Sequence, residues 1–306
     1  MKMFLDCLPC VLNQILDASR MSSADERLHA QIFKEGFALL ARYGEYHSSP
    51  DLVADMHKIV KRITGVEDPY AEIKARDIKA ASEAEPVLRA FLDDGSVDLS
   101  GAIGSEGDTG YAKMYRALKI AVTGNILDAA IMKNIDLTNS LGEELRRPFV
   151  LCDLSIFIDK LRRAKTILII ADNAGEAVFD RVMIEYLDRD DVVYAVRDVP
   201  IINDLTIGDA KSAGVDRCAR VISCGSDAPA AIRSRCDPGF LELFGKADIV
   251  ISKGQGNFEA LSDCGRDVFF LLKAKCAVIA KRLGVKIGDD VFFRGGHDPV
   301  ETTEKR

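Results

Sequence analysis

The residues best equipped for chemistry sit in one short turn, Asp172-Asn173-Ala174-Gly175-Glu176. A carboxylate and an amide oxygen side by side are hard donors, suited to Mg²⁺ or Mn²⁺. Both residue types also cap helices, and at a single turn capping is the commoner use. The run before the turn, residues 166–171, is apolar and β-branched, as a buried parallel strand requires. After it, Val178, Val182 and Tyr186, with Phe179, Met183 and Leu187, recur at helical spacing. Strand, polar turn and helix follow one another. In an open α/β sheet such a turn lies at the carboxyl edge, where ligands bind, and the helix N-terminus favours phosphate.

Partners for this turn stand at other strand ends. After the run 192–196 come Asn203, Asp204, Thr206 and Asp209. Either Asp204 or Asp209 can serve as a third oxygen ligand, or the cluster is a solvated loop with a helix cap. After 248–252 comes Lys253-Gly254-Gln255-Gly256-Asn257-Phe258-Glu259. Its glycines let backbone N–H groups close on an anion, and Lys253 adds positive charge. A flexible turn accounts for the glycines but not for a lysine ending a buried strand. After 268–272, Lys273 and Lys275 bring more positive charge to the same edge. Oxygen donors and lysines together suit a metal-assisted site for a phosphorylated small molecule.

The elements that must position these groups are legible as a change of pattern. From about residue 160, apolar runs at 166–171, 192–196, 220–223, 248–252, 268–272 and 290–293 alternate with helical stretches at 176–188, 203–212, 256–263 and 275–283. Such alternation predicts an α/β fold, a mainly parallel sheet covered on both faces in a Rossmann-like α/β/α sandwich. No G-x-G-x-x-G follows Ala171, so the first turn is not a dinucleotide loop. Residues 1–155 read as a helical N-terminal region, with helices over 28–43, 49–65, 69–92 and 112–130, the last broken at Thr123-Gly124-Asn125. Breaker-rich stretches at 94–96 and 100–110 read as loops. Residues 156–306 are then the α/β/α domain that carries the metal-binding catalytic site.

Composition narrows the classes. The 306 residues are 48% apolar and 29% charged, with a net charge of −7, which leaves no basic footprint for nucleic acid. No apolar run approaches the length of a membrane span. The first twenty residues lack a signal-peptide core, so a cytoplasmic location is expected. Eight cysteines in a chain of this length are no disulfide scaffold. Cys7-Leu8-Pro9-Cys10, at a helix start, can supply half of a second metal site or act in redox chemistry, or simply stay reduced and partly buried. The oligomeric state is not set by any of these features.

Taken in order, these motifs resemble the damage-control phosphatase family, formerly the domain of unknown function 89. The resemblance rests on Cys7-Leu8-Pro9-Cys10, Asp68-Pro69-Tyr70, Thr123-Gly124-Asn125, Asp172-Asn173-Ala174-Gly175-Glu176, Pro200-Ile201-Ile202-Asn203-Asp204, Asp209-Ala210, Lys253-Gly254-Gln255-Gly256-Asn257 and Lys275-Cys276. It spans essentially the whole chain. The C-x-x-C and the compact length look like the stand-alone archaeal and microbial branch.

The resemblance implies a helical region packed on the α/β/α domain and a divalent metal such as Mn²⁺, Ni²⁺, Co²⁺ or Mg²⁺. It makes Asp172, Asn173 and Asp209 the metal ligands. Asp172, Asn173 and Lys275 become catalytic, with Lys275 holding the substrate phosphate. Glu176, Lys253, Gly254 and Asn257 then line the substrate pocket. The implied reaction is hydrolysis of phosphomonoesters of small metabolites, sugar phosphates or damaged phosphometabolites. Asp172 either orients a water or attacks as a nucleophile. Two stretches depart from the family pattern: Leu205 in Asn203-Asp204-Leu205-Thr206, and the run after Gly124-Asn125 that carries Asp128. Related branches are credited with carboxyl methylation, but no glycine-rich cofactor loop supports that here. The rival from another class is a non-catalytic sensor that binds metal and a phosphorylated metabolite.

Overall fold

Four successive buried side chains, Ile167 to Ile170, make β2 (Ile167–Ile170) the middle of the fold. The computed structural model describes residues 1–95, 109–126 and 137–296. Before the sheet come α1 (Cys7–Ser22), α2 (Glu26–Leu40), α3 (Ser49–Thr64), α4 (Ala71–Asp93), α5 (Thr109–Thr123) and α6 (Leu137–Arg146). Then follow β1 (Phe149–Cys152), α7 (Leu154–Leu161), β2, α8 (Glu176–Leu187), β3 (Val192–Val196), α9 (Ile207–Ser212) and β4 (Arg220–Ser223). The chain continues through α10 (Pro238–Lys246), β5 (Ile249–Lys253), α11 (Gly254–Leu261), β6 (Val268–Lys273), α12 (Ala277–Leu283) and β7 (Asp290–Gly295).

The strands order as β1-β7-β6-β5-β2-β3-β4, all pairs parallel except β6 with β7. A mixed α/β fold with a mainly parallel sheet is thus what the alternating pattern describes. Because strands β2, β3 and β5 are covered on both faces, every one of their side chains is buried, and their sequences read as near-continuous apolar runs. Ile167, Ile169, Val192, Tyr194, Val196, Ile249 and Ile251 share one core with α4, α5 and α8. Leu168, Ile170, Val193 and Val250 face the other core, with α10, α11 and α12. A third cluster ties α1, α2 and α3 together around Ile32, Leu52 and Met56.

Two differences from the sequence reading concern short elements. The stretch 1–155, read as helical, ends in β1, a four-residue strand paired with β7. Helices α7 and α10 went unassigned because eight or nine residues give a periodicity too brief to separate from a loop. The expected break at 123–125 is a 3₁₀ turn over Gly124–Ile126. Of the expected loop over 100–110, residues 100–108 lie outside the described residues, as does Asp128, while Thr109 and Gly110 already belong to α5. Among the described residues no helix is long and apolar enough to cross a membrane.

Candidate functional site

Strand order reverses between β2 and β5: β3 and β4 follow β2 outward on one side, β6 follows β5 on the other. At such a switch point the loops beyond the carboxyl ends diverge and leave a crevice. Asp172 and Asn173 leave β2 on one lip, and Lys253 and Gly254 leave β5 on the other. A cavity of about 240 Å³ opens there, lined by Asp172, Asn173, Asp204, Gln255, Glu259 and Lys275 among others. Gln14 of α1 and Ser49, Pro50 and Val53 of α3 also line it, so the N-terminal helices form part of its wall.

The loops after β2 and β3 are stitched by backbone hydrogen bonds. Leu205 N donates to Asp172 O at 2.9 Å, and Ala174 N to Asn203 O at 2.9 Å. Asn173 and Asp204 pair as an isolated antiparallel bridge. Ile202, two residues before Asp204, has φ +39°, a conformation a β-branched side chain rarely adopts. That strain sits at the cavity wall, where Ile202 is itself a lining residue.

Asp172 and Asp204 are both buried. Burial raises the Asp172 carboxyl well above the usual range, helped by the charges of Glu176 and Asp204 and opposed by Lys275 and Arg197. Burial likewise pushes Asp204 up to about 6, although Arg197 Nε donates to its Oδ2 at 2.7 Å. Gly254 makes room for this arrangement. At φ +77° it lies so close that a Cβ there would stand 2.0 Å from Asp172 Oδ2.

Beneath the cavity lies a buried polar layer. Asn173 Nδ2 donates to Asp172 Oδ2 at 3.2 Å and to Glu176 Oε1 at 2.7 Å. Asn125 donates to the same Glu176 oxygen. Lys253 Nζ donates to Glu176 Oε2 at 2.9 Å and to Asp180 Oδ1 at 2.7 Å, and Tyr194 OH donates to Asp180 Oδ2 at 2.6 Å. Asn257 Nδ2 donates to Ala171 O at 2.9 Å and to Lys253 O at 2.8 Å, binding the ends of β2 and β5 together.

The structure therefore divides the residues singled out above. Asp172, Asn173 and Lys275 line the cavity. Lys275 is exposed there, and among the described residues its ammonium forms no ion pair. Glu176, Lys253 and Asn257 lie in the layer below, engaged with protein partners. Asp209 is placed apart. Its Oδ2 accepts from Thr206 N and Oγ1 in the capping box of α9, and from Lys74 Nζ at 2.7 Å. It is Asp204, the other acidic residue of that loop, that lines the cavity. Cys7 is half-buried at the start of α1 and Cys10 exposed, and burial raises the Cys7 thiol.

Asp180, Tyr194, Arg197 and Glu259 were not foreseen. Asp180 had a signal: it stands four residues after Glu176 on a helix otherwise apolar on nearly every side. Arg197 had the same signal as Lys253, a cation directly after a buried strand.

Whether these residues suit a divalent cation can be judged from their charges. Among the described residues no group of three or more His, Cys, Asp or Glu is arranged to hold a metal, here or at Cys7 and Cys10. The donor set at the cavity is instead two carboxylates and an amide. Asn173 spends its Nδ2 on Asp172 and Glu176, which leaves its amide oxygen for another partner. Five buried carboxylates, Asp172, Glu176, Asp180, Asp204 and Glu259, stand around two buried cations, Lys253 and Arg197. That surplus of carboxylates is one a divalent cation would balance, and burial is the main reason the Asp172 and Asp204 carboxyls are raised. The donors fit a hard cation.

Comparison with known proteins agrees with this fold. The damage-control phosphatase ARMT1-like domain matches residues 3–291. A damage-control phosphatase of Pyrococcus horikoshii is 30% identical over 96% of this chain and 98% of its own length. A damage-control phosphatase of Archaeoglobus fulgidus is 30% identical over 93% of this chain and 96% of its own. The crystal structure of a DUF89 family protein from P. horikoshii superimposes with a TM-score of 0.82 at 29% identity, covering 96% of this chain and 99% of that one. By the extent of these matches, the chain belongs to the damage-control phosphatase ARMT1-like family.

Proposed function

We propose that this protein is a divalent-metal-dependent phosphatase that hydrolyses phosphomonoesters of small metabolites, sugar phosphates or damaged phosphometabolites. The observation that carries the reading is the convergence of Asp172, Asn173, Asp204 and Lys275 on one small cavity at the switch point of the sheet. Family membership supports the same reading, since two relatives are named damage-control phosphatases. A volume of about 240 Å³ suits a small phosphorylated metabolite.

Asp172, Asn173 and Asp204 would hold the cation, with Mn²⁺, Ni²⁺, Co²⁺ or Mg²⁺ as candidates. Such a cation supplies Lewis-acid polarisation and charge neutralisation to phosphoryl transfer. Lys275 contributes a second positive charge on the cavity wall, where it offsets the phosphate. Arg197 orients Asp204, and Glu176 orients the Asn173 amide, so the polar groups are set before substrate arrives. Glu259, whose carboxyl burial pushes up to about 7, holds a proton near neutrality on the same wall and can give it to the leaving alkoxide. Lys253 acts below the site, neutralising Glu176 and Asp180. A cytoplasmic setting is part of the same proposal.

The test is phosphate release from a panel of sugar phosphates, with chelator and with each of the four metals restored. Metal-restored release on some of them supports the reading. Tight metal and phosphate binding with no release on any ester would instead favour a metabolite sensor.

A further inference from the structure

Arg197 holds Asp204 through Nε and Asn257 through Nη2, but its Nη1 is buried without a hydrogen-bond partner. A fully buried guanidinium with an idle corner calls for an explanation. Its neighbour is sulfur. Parallel pairing sets Val196 against Ser223, and Cys224 N donates to Val196 O at 2.8 Å. Arg197 and Cys224 therefore leave β3 and β4 side by side. Cys224 is fully buried, and the guanidinium charge stands close enough to lower its thiol.

A second cysteine completes the arrangement. Asp237 N donates to Cys224 O at 3.0 Å. Gly225, at φ +79°, lets the two segments approach so closely that a Cβ there would lie 2.4 Å from Asp237 Cγ. Cys236, half-buried, thus comes against Cys224. The Cys236 thiol beside it, with the Arg197 charge, draws the Cys224 thiol down to about 6 against the effect of burial, and Cys236 is pushed up in turn. An acidic thiol beside a resolving thiol is the arrangement that oxidants select.

We propose that Cys224 and Cys236 form a thiol pair that steadies Arg197 when reduced, and that closure to a disulfide under hydrogen peroxide loosens its hold on Asp204 and Asn257. This regulation rests on the cation-site reading given above. The Cys224 thiolate attacks one peroxide oxygen, breaking the O–O bond. Cys224 is oxidised to a sulfenic acid, and the leaving oxygen departs as water after protonation. The Cys236 sulfur then attacks the sulfenyl sulfur. The S–S bond forms, the S–O bond breaks, and the departing hydroxide takes the Cys236 proton. Two thiols and one peroxide give one disulfide and two waters. Cys236, being part-exposed, gives the oxidant its approach.

The experiment compares the full chain reduced, peroxide-treated, and treated then reduced with dithiothreitol, alongside a Cys236→Ser variant. Each sample is titrated with Mn²⁺, and cross-linked peptides are mapped by mass spectrometry without reductant. The expected result is a Cys224–Cys236 cross-link in the oxidised chain and Mn²⁺ affinity weakened about tenfold or more, as when an outer-shell partner is lost. Dithiothreitol restores it, and Cys236→Ser does not respond to peroxide. A cross-link with unchanged Mn²⁺ affinity, the absence of that cross-link, or a Cys236→Ser protein as sensitive as the natural chain would overturn the switch. Because the reversal is read on the natural chain, the test stands even if the variant folds poorly. A reduced chain that binds no Mn²⁺ would overturn the cation site itself, and the switch with it.

Discussion

Asn173 and Asp204 meet as an isolated antiparallel bridge, so the donors of two loops are held by backbone pairing. On the proposed reading, this bridge favours Asp204 over Asp209 as the third cation ligand. Asp209, five residues on, is already committed to the α9 capping box and to Lys74. Asp204→Ala should lose Mn²⁺ binding and phosphate release. Asp209→Ala should keep both and lose about 1 kcal/mol or more of stability, the usual cost of a lost cap. Parallel Mn²⁺ titrations and thermal melts separate the two, and a metal-blind Asp209→Ala would reverse the assignment.

Asp172 opposes folding when no cation is bound. Its carboxyl is raised in the folded state, so the folded chain binds the proton more tightly than the unfolded chain does. Such a group contributes stability that is full below the unfolded pKa and is lost as pH rises through the folded value. At neutral pH, Asp172→Asn removes that cost. The metal-free variant should melt about 2–4 °C higher than the natural chain, while phosphate release falls by at least about 10²-fold. A lower melting temperature would show that the carboxylate stabilises the apo fold.

The two lysines nearest the site should behave differently on removal. Lys253 is wholly buried between Glu176 and Asp180. Lys253→Met leaves both carboxylates without their cation and should destabilise the fold by about 3–5 kcal/mol in denaturant titration. Lys275 is exposed on the cavity wall, so Lys275→Ala should melt like the natural chain. Its defect should be a KM for phosphoester raised by about tenfold or more, the loss of one charge-assisted contact. Equal stability in both variants would contradict the layered arrangement.

The direction of Lys253 was legible in principle. Ile249, Ile251 and Lys253 alternate on one face of β5, the face that packs on α8, so the ammonium must meet what α8 presents. The apolar runs of β2, β3 and β5, and the polar residues that end them, could likewise be read from composition alone. Choosing between Asp204 and Asp209 could not. It depends on the path of a loop bent through a positive φ at Ile202 and pinned by two bridges, neither of which has a periodic signature. Cys224 and Cys236 stand twelve residues apart in no motif, and only the pairing of β3 with β4 brings the first of them to Arg197.

Cation binding should weaken in acid. Protons compete for the same carboxylates, and Asp204 is pushed up to about 6 before any cation is present. Mn²⁺ affinity should rise with pH through that value and fall up to about tenfold per pH unit below it for each ligand protonated. Titrations between pH 5 and pH 8, taken as about two units around the transition, read this directly. Affinity independent of pH across that range would mean that neither raised carboxylate is a ligand.

On the proposed reading, phosphate-ester hydrolysis requires a divalent cation held by Asp172, Asn173 and Asp204. The most direct measurement is phosphate release from para-nitrophenyl phosphate by the chelator-stripped chain as Mn²⁺ is returned, beside Asp204→Ala under identical conditions. If that cation is required, recovery is saturable in the natural chain and absent in the variant. Release that survives stripping, or that returns equally in Asp204→Ala, would contradict it.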